Sequence, residues 1–466
     1  MLLNENRLFP ADENSRGIAK RLFNEVEKLP IISPHGHTDP SWFASNKNFT
    51  NATDLLIVPD HYVLRMLVSQ GFKLENLGVI GKDINTEKDK RKIWKIFAEN
   101  YYLFRSTPSR IWMDHTFENL FGINKPLNQK TADFYFDHIG ECLKKDEFRP
   151  REMYNKFNIE ILSTTESALD NLEFHKSIKN SNWNGRIIST YRPDNVIDPD
   201  FDNFKENIDK FGEITNEDTT TWTGYLNAHR KRREYFISLG TTASDHGLST
   251  ANTADLNNEE ASKLFEKVIT KIANSHEKEL FRAQMLTEMA KMSIEDGLVM
   301  QIHPGSHRNH NKNILDIFGR DKGFDIPQRT SYVDVLKPLL SRYGMNSKLN
   351  IILFTLDEST YSRELAPLAG AYPSLKLGPA WWFHDSPNGM MRYRELVTET
   401  AGFYNTVGFN DDTRAFPSVP ARHDVSRRVD CSFLATQVAK HIISEEEARE
   451  VAIELAYKLA KVSYKL

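Results

Sequence analysis

Apolar positions along the chain follow two rhythms. Short β-branched runs ending in polar residues recur eight times, and between them lie stretches with apolar residues at helical spacing. The first run, Ile31 and Ile32 within PIISPHGHTDP (30–40), follows a predicted helix over 13–29. That helix carries Ile18, Leu22, Phe23 and Val26 at helical spacing and is stopped by Pro30. The other runs are NIEILSTT (158–165), RIISTYRPD (186–194), LGTTASDHG (239–247), LVMQIHPG (298–305), NIILFTLD (350–357), SLKLGPAWW (374–382) and NTVGFNDDTR (405–414). Between residues 41 and 155 the segments RKIWKIFAENYYLF, SRIWMDHTFENLFGI and TADFYFDHIGECLKK are aromatic and helical, and no strand is predicted. Later helices are predicted over 259–273, with Leu264, Val268 and Ile272 on one face, and over 279–293. The last begins at Ser444, whose spacing to Glu447 is that of a capping box, and runs through Leu455 and Leu459. The Asp-, Asn- and Thr-rich stretch 195–225 reads as an exposed excursion, beside the strand ends or away from them.

Eight strands alternating with helices predict an α/β fold, a (β/α)8 TIM-like barrel whose active site lies at the carboxyl ends of the strands. A doubly wound sheet alternates in the same way. The chain, however, has no G-x-G-x-x-G or G-x-x-x-x-G-K-S/T turn, which removes the usual nucleotide-binding readings. The expected organisation is residues 1–40 for the first helix and strand, 41–155 for a helical insertion, and 156–466 for the rest of the barrel and a C-terminal helix.

Composition narrows the partners rather than the fold. The 466 residues carry a formal net charge of −4 with both signs mixed, so a basic nucleic-acid footprint and a polybasic membrane patch are both excluded as expectations. No apolar run reaches membrane-span length, and MLLNENRLFPADENSR has no apolar signal core, so a cytoplasmic enzyme is expected. Cys142 and Cys431, far apart and outside any C-x-x-C, fit a reducing compartment.

Candidate chemistry gathers at the strand ends. His35 and His37 are two residues apart, so on an extended backbone both imidazoles address one point, as metal ligands do and as a solvated loop can by chance. In a barrel the eighth strand lies beside the first, which brings Asp412 near the two histidines. It is either a third ligand or a turn aspartate. Two imidazoles and a carboxylate suit zinc or manganese and leave positions open. His303 ends an apolar run, as either a core histidine or a site residue would. Arg192, Asp245, His246, Asp357 and Arg414 also end strands, and Arg192 and Arg414 each have a neighbouring aspartate, Asp194 and Asp411, that could neutralise them. Trp381 and Trp382 suit barrel packing or the apolar face of a sugar ring. In PDHYVLRML, His61, Tyr62 and Arg65 fall on or beside one helical face, stacked in the insertion or reaching the pocket.

These stretches together carry a resemblance. PHGHTDP, PDHYVLRML, FRSTPSRIWMDH, FNIEILSTTES, STYRPD, ASDHG, MQIHPGSHRN, LGPAWWFHD and GFNDDTRAF, in this order and nearly end to end, resemble the uronate (glucuronate) isomerase family of the amidohydrolase superfamily. The resemblance implies a distorted (β/α)8 barrel of the metal-dependent hydrolase type with one divalent metal, commonly zinc, on His35, His37 and Asp412. It also implies aldose-ketose isomerisation of hexuronic acids, D-glucuronate to D-fructuronate and D-galacturonate to D-tagaturonate, through a cis-enediol. Asp412, His61, Tyr62 and Arg414 are then the expected catalytic set. Arg192, Arg65, His303, Asp245, His246, Trp381 and Trp382 are expected on the substrate, in a homo-oligomer. The chain departs from the family pattern at Gly36, Leu64 and Asp411, where the family more often has Cys, Trp and Thr. A metal-dependent hydrolase or decarboxylase on the same barrel is the alternative activity, although no lysine ends runs three to five. A catalytically silent sugar-binding relative is the alternative outside enzymes.

Overall fold

The computed structural model describes residues 2–466. Helix α1 (Glu13–Val26), capped by the Asp12 side chain, leads into strand β1 (Ile31–Ser33). Ile31 and Ile32 face opposite ways, as consecutive strand residues must. Ile31 packs with the helices that follow, and Ile32 packs inside the sheet with Ile161 and Ile188. Between β1 and the next strand the chain is helical, as predicted: α2 (Pro40–Ser45), α3 (Ala52–Leu56), α4 (His61–Ser69), α5 (Lys90–Glu99), α6 (Pro108–His115), α7 (Ala132–Leu143) and α8 (Pro150–Lys156). Their shared core is aromatic, built on Phe43, Trp94, Phe97, Tyr101, Phe117 and Tyr135.

Strands and helices then alternate. In order come β2 (Ile159–Ser167), α9 (Glu173–Lys179), β3 (Arg186–Arg192), α10 (Asp194–Ile197), α11 (Phe204–Thr215), α12 (Trp222–Ser238) and β4 (Ala243–His246). They are followed by α13 (Asn258–Ile269), α14 (Ser275–Asp296), β5 (Val299–Ile302), β6 (Ser306–His307), α15 (Lys312–Phe318), β7 (Ile326–Pro327), α16 (Val333–Tyr343) and β8 (Ile351–Leu353). The chain ends with α17 (Ala366–Ala371), β9 (Leu375–Leu377), α18 (Pro387–Ala401), α19 (Val419–Ala439), α20 (Glu445–Ile453) and α21 (Leu459–Ser463). Seven strands form one curled parallel sheet in the order β1-β2-β3-β4-β5-β8-β9, and β6 and β7 make a separate antiparallel pair.

Three expectations need correcting. The run 405–414 is not a strand over its length. Thr406 makes one bridge to Leu377, after which Gly408 (φ +78°) and Asp412 (φ +44°) break the pleat with left-handed backbone. The segment still spans the gap in the sheet, because the His37 N–H donates to the Thr413 carbonyl at 2.8 Å. The stretch 195–225 is largely helical and packed, with Phe204, Ile208, Phe211 and Trp222 in the main core. The helix predicted over 259–273 stops at Ile269, and Ile272 is 71% exposed rather than on the buried face. The C-terminal capping box forms as read. Beyond it Tyr464 and Leu466 close the amino-terminal end of the sheet, and the Tyr464 hydroxyl donates to Gln301 of β5 at 3.2 Å. Both cysteines are buried and free, and among the described residues no helix is long and apolar enough to cross a membrane.

Candidate active site

At the carboxyl ends of the strands lies a cavity of about 360 Å³. It has the size and position expected of a small-molecule site in such a fold.

One wall comes from the ends of β1 and the 405–414 segment. His35 and His37 stand edge to face with ring centroids 5.4 Å apart, and their Nε2 atoms lie 3.7 and 3.2 Å from Asp412 Oδ1. One donor atom from each of the three residues lies within 4.8 Å of the others. Asp412 Oδ2 accepts the Trp381 indole N–H at 2.6 Å, which fixes the carboxylate and leaves Oδ1 without an aligned hydrogen bond. The left-handed backbone at Asp412 is the kind of local strain that persists where a side chain has to be aimed. Burial pushes His37 down to about 4 in spite of its Asp412 partner, so the imidazole is in its uncharged, metal-binding form. Burial alone would raise the Asp412 carboxyl, but His37, His35 and Arg414 outweigh it and hold it below the usual carboxylate range. Two neutral imidazoles and an ionised carboxylate with an unclaimed oxygen fit a divalent cation, and these three residues could hold a metal ion. Arg414 completes this wall. Burial lowers it from its ordinary value, and it has no carboxylate oxygen within 4.0 Å among the described residues.

The opposite wall comes from β3, β4 and β5. Arg192 Nε donates to Asp194 at 2.7 Å and Arg192 Nη1 lies 3.5 Å from Asp245, which is fully buried. Asp245 also meets His303 Nε2 at 2.7 Å. Gly247 permits this packing, because a Cβ there would stand 2.2 Å from Arg192 Nη2 and 2.9 Å from Asp194 Oδ2. Burial alone would lower Arg192, but Asp194 and Asp245 raise it further than burial lowers it.

Two excursions roof the cavity. Helix α4, capped by Asp60, brings His61 and Tyr62 to the rim, and burial followed by the Arg414 charge pushes His61 down to about 3. The segment after β5 adds Arg308, paired with Asp325 at 2.9 Å and lying over the Trp382 ring at 5.4 Å. It also adds Asp321, which faces Arg414, and Gly323, whose missing side chain lets the segment lie against His61.

The structure therefore brings His35, His37, Asp412, Arg414, His61, Tyr62, Arg192, His303, Trp381 and Trp382 to one cavity. Asp245 lies behind His303 rather than on the surface of the cavity. His246 and Arg65 are not brought in. His246 follows Asp245 on a strand and so points to the other side, where Nδ1 meets the Gln301 carbonyl at 2.9 Å. The Arg65 guanidinium lies over Phe383 at 4.5 Å. Asp357 caps a short turn through Ser359 and does not line the cavity. The departures at Gly36, Leu64 and Asp411 all fall off the cavity. Leu64 is buried in the core shared by the helices between β1 and β2, and Asp411 accepts from His423 at 3.1 Å behind Asp412. Arg308, Asp321, Asp325, Asp385 and Arg422 also line the cavity and are not predicted from spacing. Arg308 and Asp385 do lie within the quoted stretches MQIHPGSHRN and LGPAWWFHD.

Known proteins are similar to this chain over its whole length. A family model described as glucuronate isomerase matches residues 9–464. A uronate isomerase of Rhizobium meliloti (strain 1021) is 60% identical over 466 residues, which is 100% of this chain and 99% of the relative. The crystal structure of glucuronate isomerase from Caulobacter crescentus matches with a TM-score of 0.98 at 57% identity, covering 99% of this chain and 97% of that one. Uronate isomerase from Thermotoga maritima matches with a TM-score of 0.93 at 29% identity, over 100% of each chain. With motif order, site geometry and full-length similarity in agreement, the chain belongs to the glucuronate isomerase family and is an isomerase.

Proposed function

We propose that the chain interconverts hexuronic acids and their ketoses, D-glucuronate with D-fructuronate and D-galacturonate with D-tagaturonate. The observation that carries this reading is the pairing, on one wall, of a three-ligand group with an arginine that has no carboxylate partner. His35, His37 and Asp412 would hold one divalent metal, zinc or manganese, which when bound stabilises negative charge on substrate oxygens. Arg414 offers two parallel N–H groups to the C6 carboxylate, a recognition that a lysine's single point of charge does not reproduce. Arg192, already bound to Asp194, holds the opposite wall in shape and contacts hydroxyls. Trp381 and Trp382 present flat apolar surface to the sugar chain.

The chemistry needs a proton moved from C2 to C1. In the proposal the Asp412 carboxylate removes the C2 proton, the C–H electron pair becomes the C1–C2 double bond, and the charge moves to the C1 oxygen. Transfer of the O2 hydroxyl proton to O1, with His61 and Tyr62 at the rim to carry it, and return of the first proton to C1 complete the ketose. Burial keeps His61 uncharged and so able to accept. A homo-oligomer in the cytoplasm is part of the same proposal, and the two buried free thiols agree with a reducing compartment.

The test is NMR in deuterated water with metal-loaded protein and a panel of uronates. Conversion to the ketose with deuterium appearing at C1 is expected. Failure to convert any uronate would overturn the reading, and release of carbon dioxide would favour the decarboxylase alternative.

A further inference from the structure

We propose that a second cavity, between the segment before α1 and helix α19, binds a phosphate group, free or carried on a small ester. This cavity measures about 500 Å³ and shares no lining residue with the one at the strand ends. Three guanidinium groups line it, Arg7 from the segment before α1 and Arg427 and Arg428 from α19. Two of them share one carboxylate. Arg7 Nη2 donates to Asp424 Oδ2 at 2.6 Å, and Arg428 Nε donates to Asp424 Oδ1 at 3.0 Å. Arg427 is only 6% exposed, yet it has no carboxylate oxygen within 4.0 Å among the described residues. Its Nη1 and Nη2 donate to the carbonyls of Glu27, Leu29 and Pro30 at 3.0, 2.9 and 3.0 Å. The Nε atoms of Arg427 and Arg7 are buried and have no acceptor.

The other acids of the cavity are already engaged. Glu5 meets Lys20 at 3.3 Å, Glu27 meets Lys28 at 3.8 Å, and Glu118 accepts the Leu2 and Leu3 N–H groups. Lys156 adds an ammonium group that lies over the Phe148 ring at 5.2 Å and has no carboxylate within 4.0 Å among the described residues. Burial pushes Arg427 down to about 10, which still leaves it charged at neutral pH. The cavity thus holds a surplus of positive charge and two buried guanidinium N–H groups in need of acceptors, an arrangement that is costly until an anion meets it. A carboxylate answers one arginine, whereas phosphate carries more charge and offers oxygens to several donors converging from two elements. A phosphate held there would fasten the segment before α1 to the helix whose His423 donates to Asp411, the residue next to Asp412, at 3.1 Å.

Titration calorimetry of the metal-loaded protein with inorganic phosphate and with glycerol 3-phosphate, at an ionic strength held constant with chloride, tests the proposal. Saturable binding of at least one of the two is expected, and the tighter one shows whether the group comes free or on an ester. Arg7→Gln and Arg427→Gln should each weaken it by about tenfold or more, the loss of one charge-assisted hydrogen bond. Arg414→Lys and the His35→Ala, His37→Ala double variant should leave it unchanged, because they alter only the other cavity. Acetate should bind at least about tenfold more weakly than phosphate. No saturable binding of either probe, binding indifferent to Arg7→Gln, or binding lost with the two histidines would overturn the proposal, and acetate binding as tightly as phosphate would overturn the choice of ligand. Should Arg427→Gln fail to fold for want of its three main-chain bonds, Arg7→Gln decides alone.

Discussion

The two walls of the cavity carry similar residues and use them differently. On the wall of β3, β4 and β5, Arg192 meets Asp194 and Asp245, and Asp245 meets His303, so each charge has an opposite partner within the protein. On the wall of β1 and the 405–414 segment, Asp412 Oδ1 lies 3.7 and 3.2 Å from the His35 and His37 Nε2 atoms, and Arg414 has no carboxylate oxygen within 4.0 Å among the described residues. A partly buried arginine with no ion pair is costly to hold unless something from outside meets it. The difference assigns the internally paired wall to holding shape and the unmatched wall to holding what comes from outside.

The largest expected effect lies on the unmatched wall. Removing both imidazoles in the His35→Ala, His37→Ala double variant should abolish stoichiometric metal, and Asp412→Asn should cut turnover by orders of magnitude while circular dichroism stays native. Full metal content in the double variant, read by elemental analysis, would break the comparison at its strongest point.

Next comes the paired wall, where stability rather than metal should respond. Asp245→Asn leaves Arg192 and His303 buried beside a neutral group, and breaking such a cluster costs on the order of 3–5 kcal/mol. Denaturant melts should register that loss, whereas Arg414→Gln, which removes a charge without an ion pair, should not destabilise the protein. Equal losses for the two variants would mean that the walls do not differ.

The smallest effect is a pH slope. His61 titrates in the native state at about 3 against an ordinary value of 6.5, because burial and Arg414 disfavour its charged form. The unfolded chain therefore takes up a proton in that window that the native chain refuses, and stability from this source is lost as pH falls below about 6.5. A His61→Gln variant should lose less stability than the wild type between about pH 7 and pH 5. Identical slopes would show that His61 is solvated and freely charged.

Much of this was legible in the chain, and the remainder has physical reasons for being hidden. The His-x-His geometry follows from the two-residue period of a strand, and the strand rhythm placed Arg192, His303 and Trp381 at the cavity. The same period should have divided Asp245 from His246, since neighbours on a strand cannot both face the cavity. The eighth run, NTVGFNDDTR, reads as a strand in the rhythm of the others, but Gly408 sits where a Cβ would meet the Leu455 carbonyl at 2.9 Å, so the C-terminal helices shape that segment. Arg422 and His423 lie in α19, a helix buried nearly all round in which charged and apolar residues are mixed, so no apolar stripe sets them apart. Ion pairs such as Arg422 with Asp385 join residues from separate elements, and spacing along a chain carries no signal for them.

The most direct test of the contrast between the walls compares kcat/KM for glucuronate and for glucose in the wild type, Arg192→Lys and Arg414→Lys. If Arg414 grips the C6 carboxylate, Arg414→Lys should lose preference for glucuronate by about 2 to 5 kcal/mol, the cost of breaking a buried hydrogen-bonded charge pair. Arg192→Lys, whose arginine is already occupied by Asp194, should weaken both sugars alike and keep the preference. A wild-type preference in Arg414→Lys, or its loss in Arg192→Lys alone, would contradict the account.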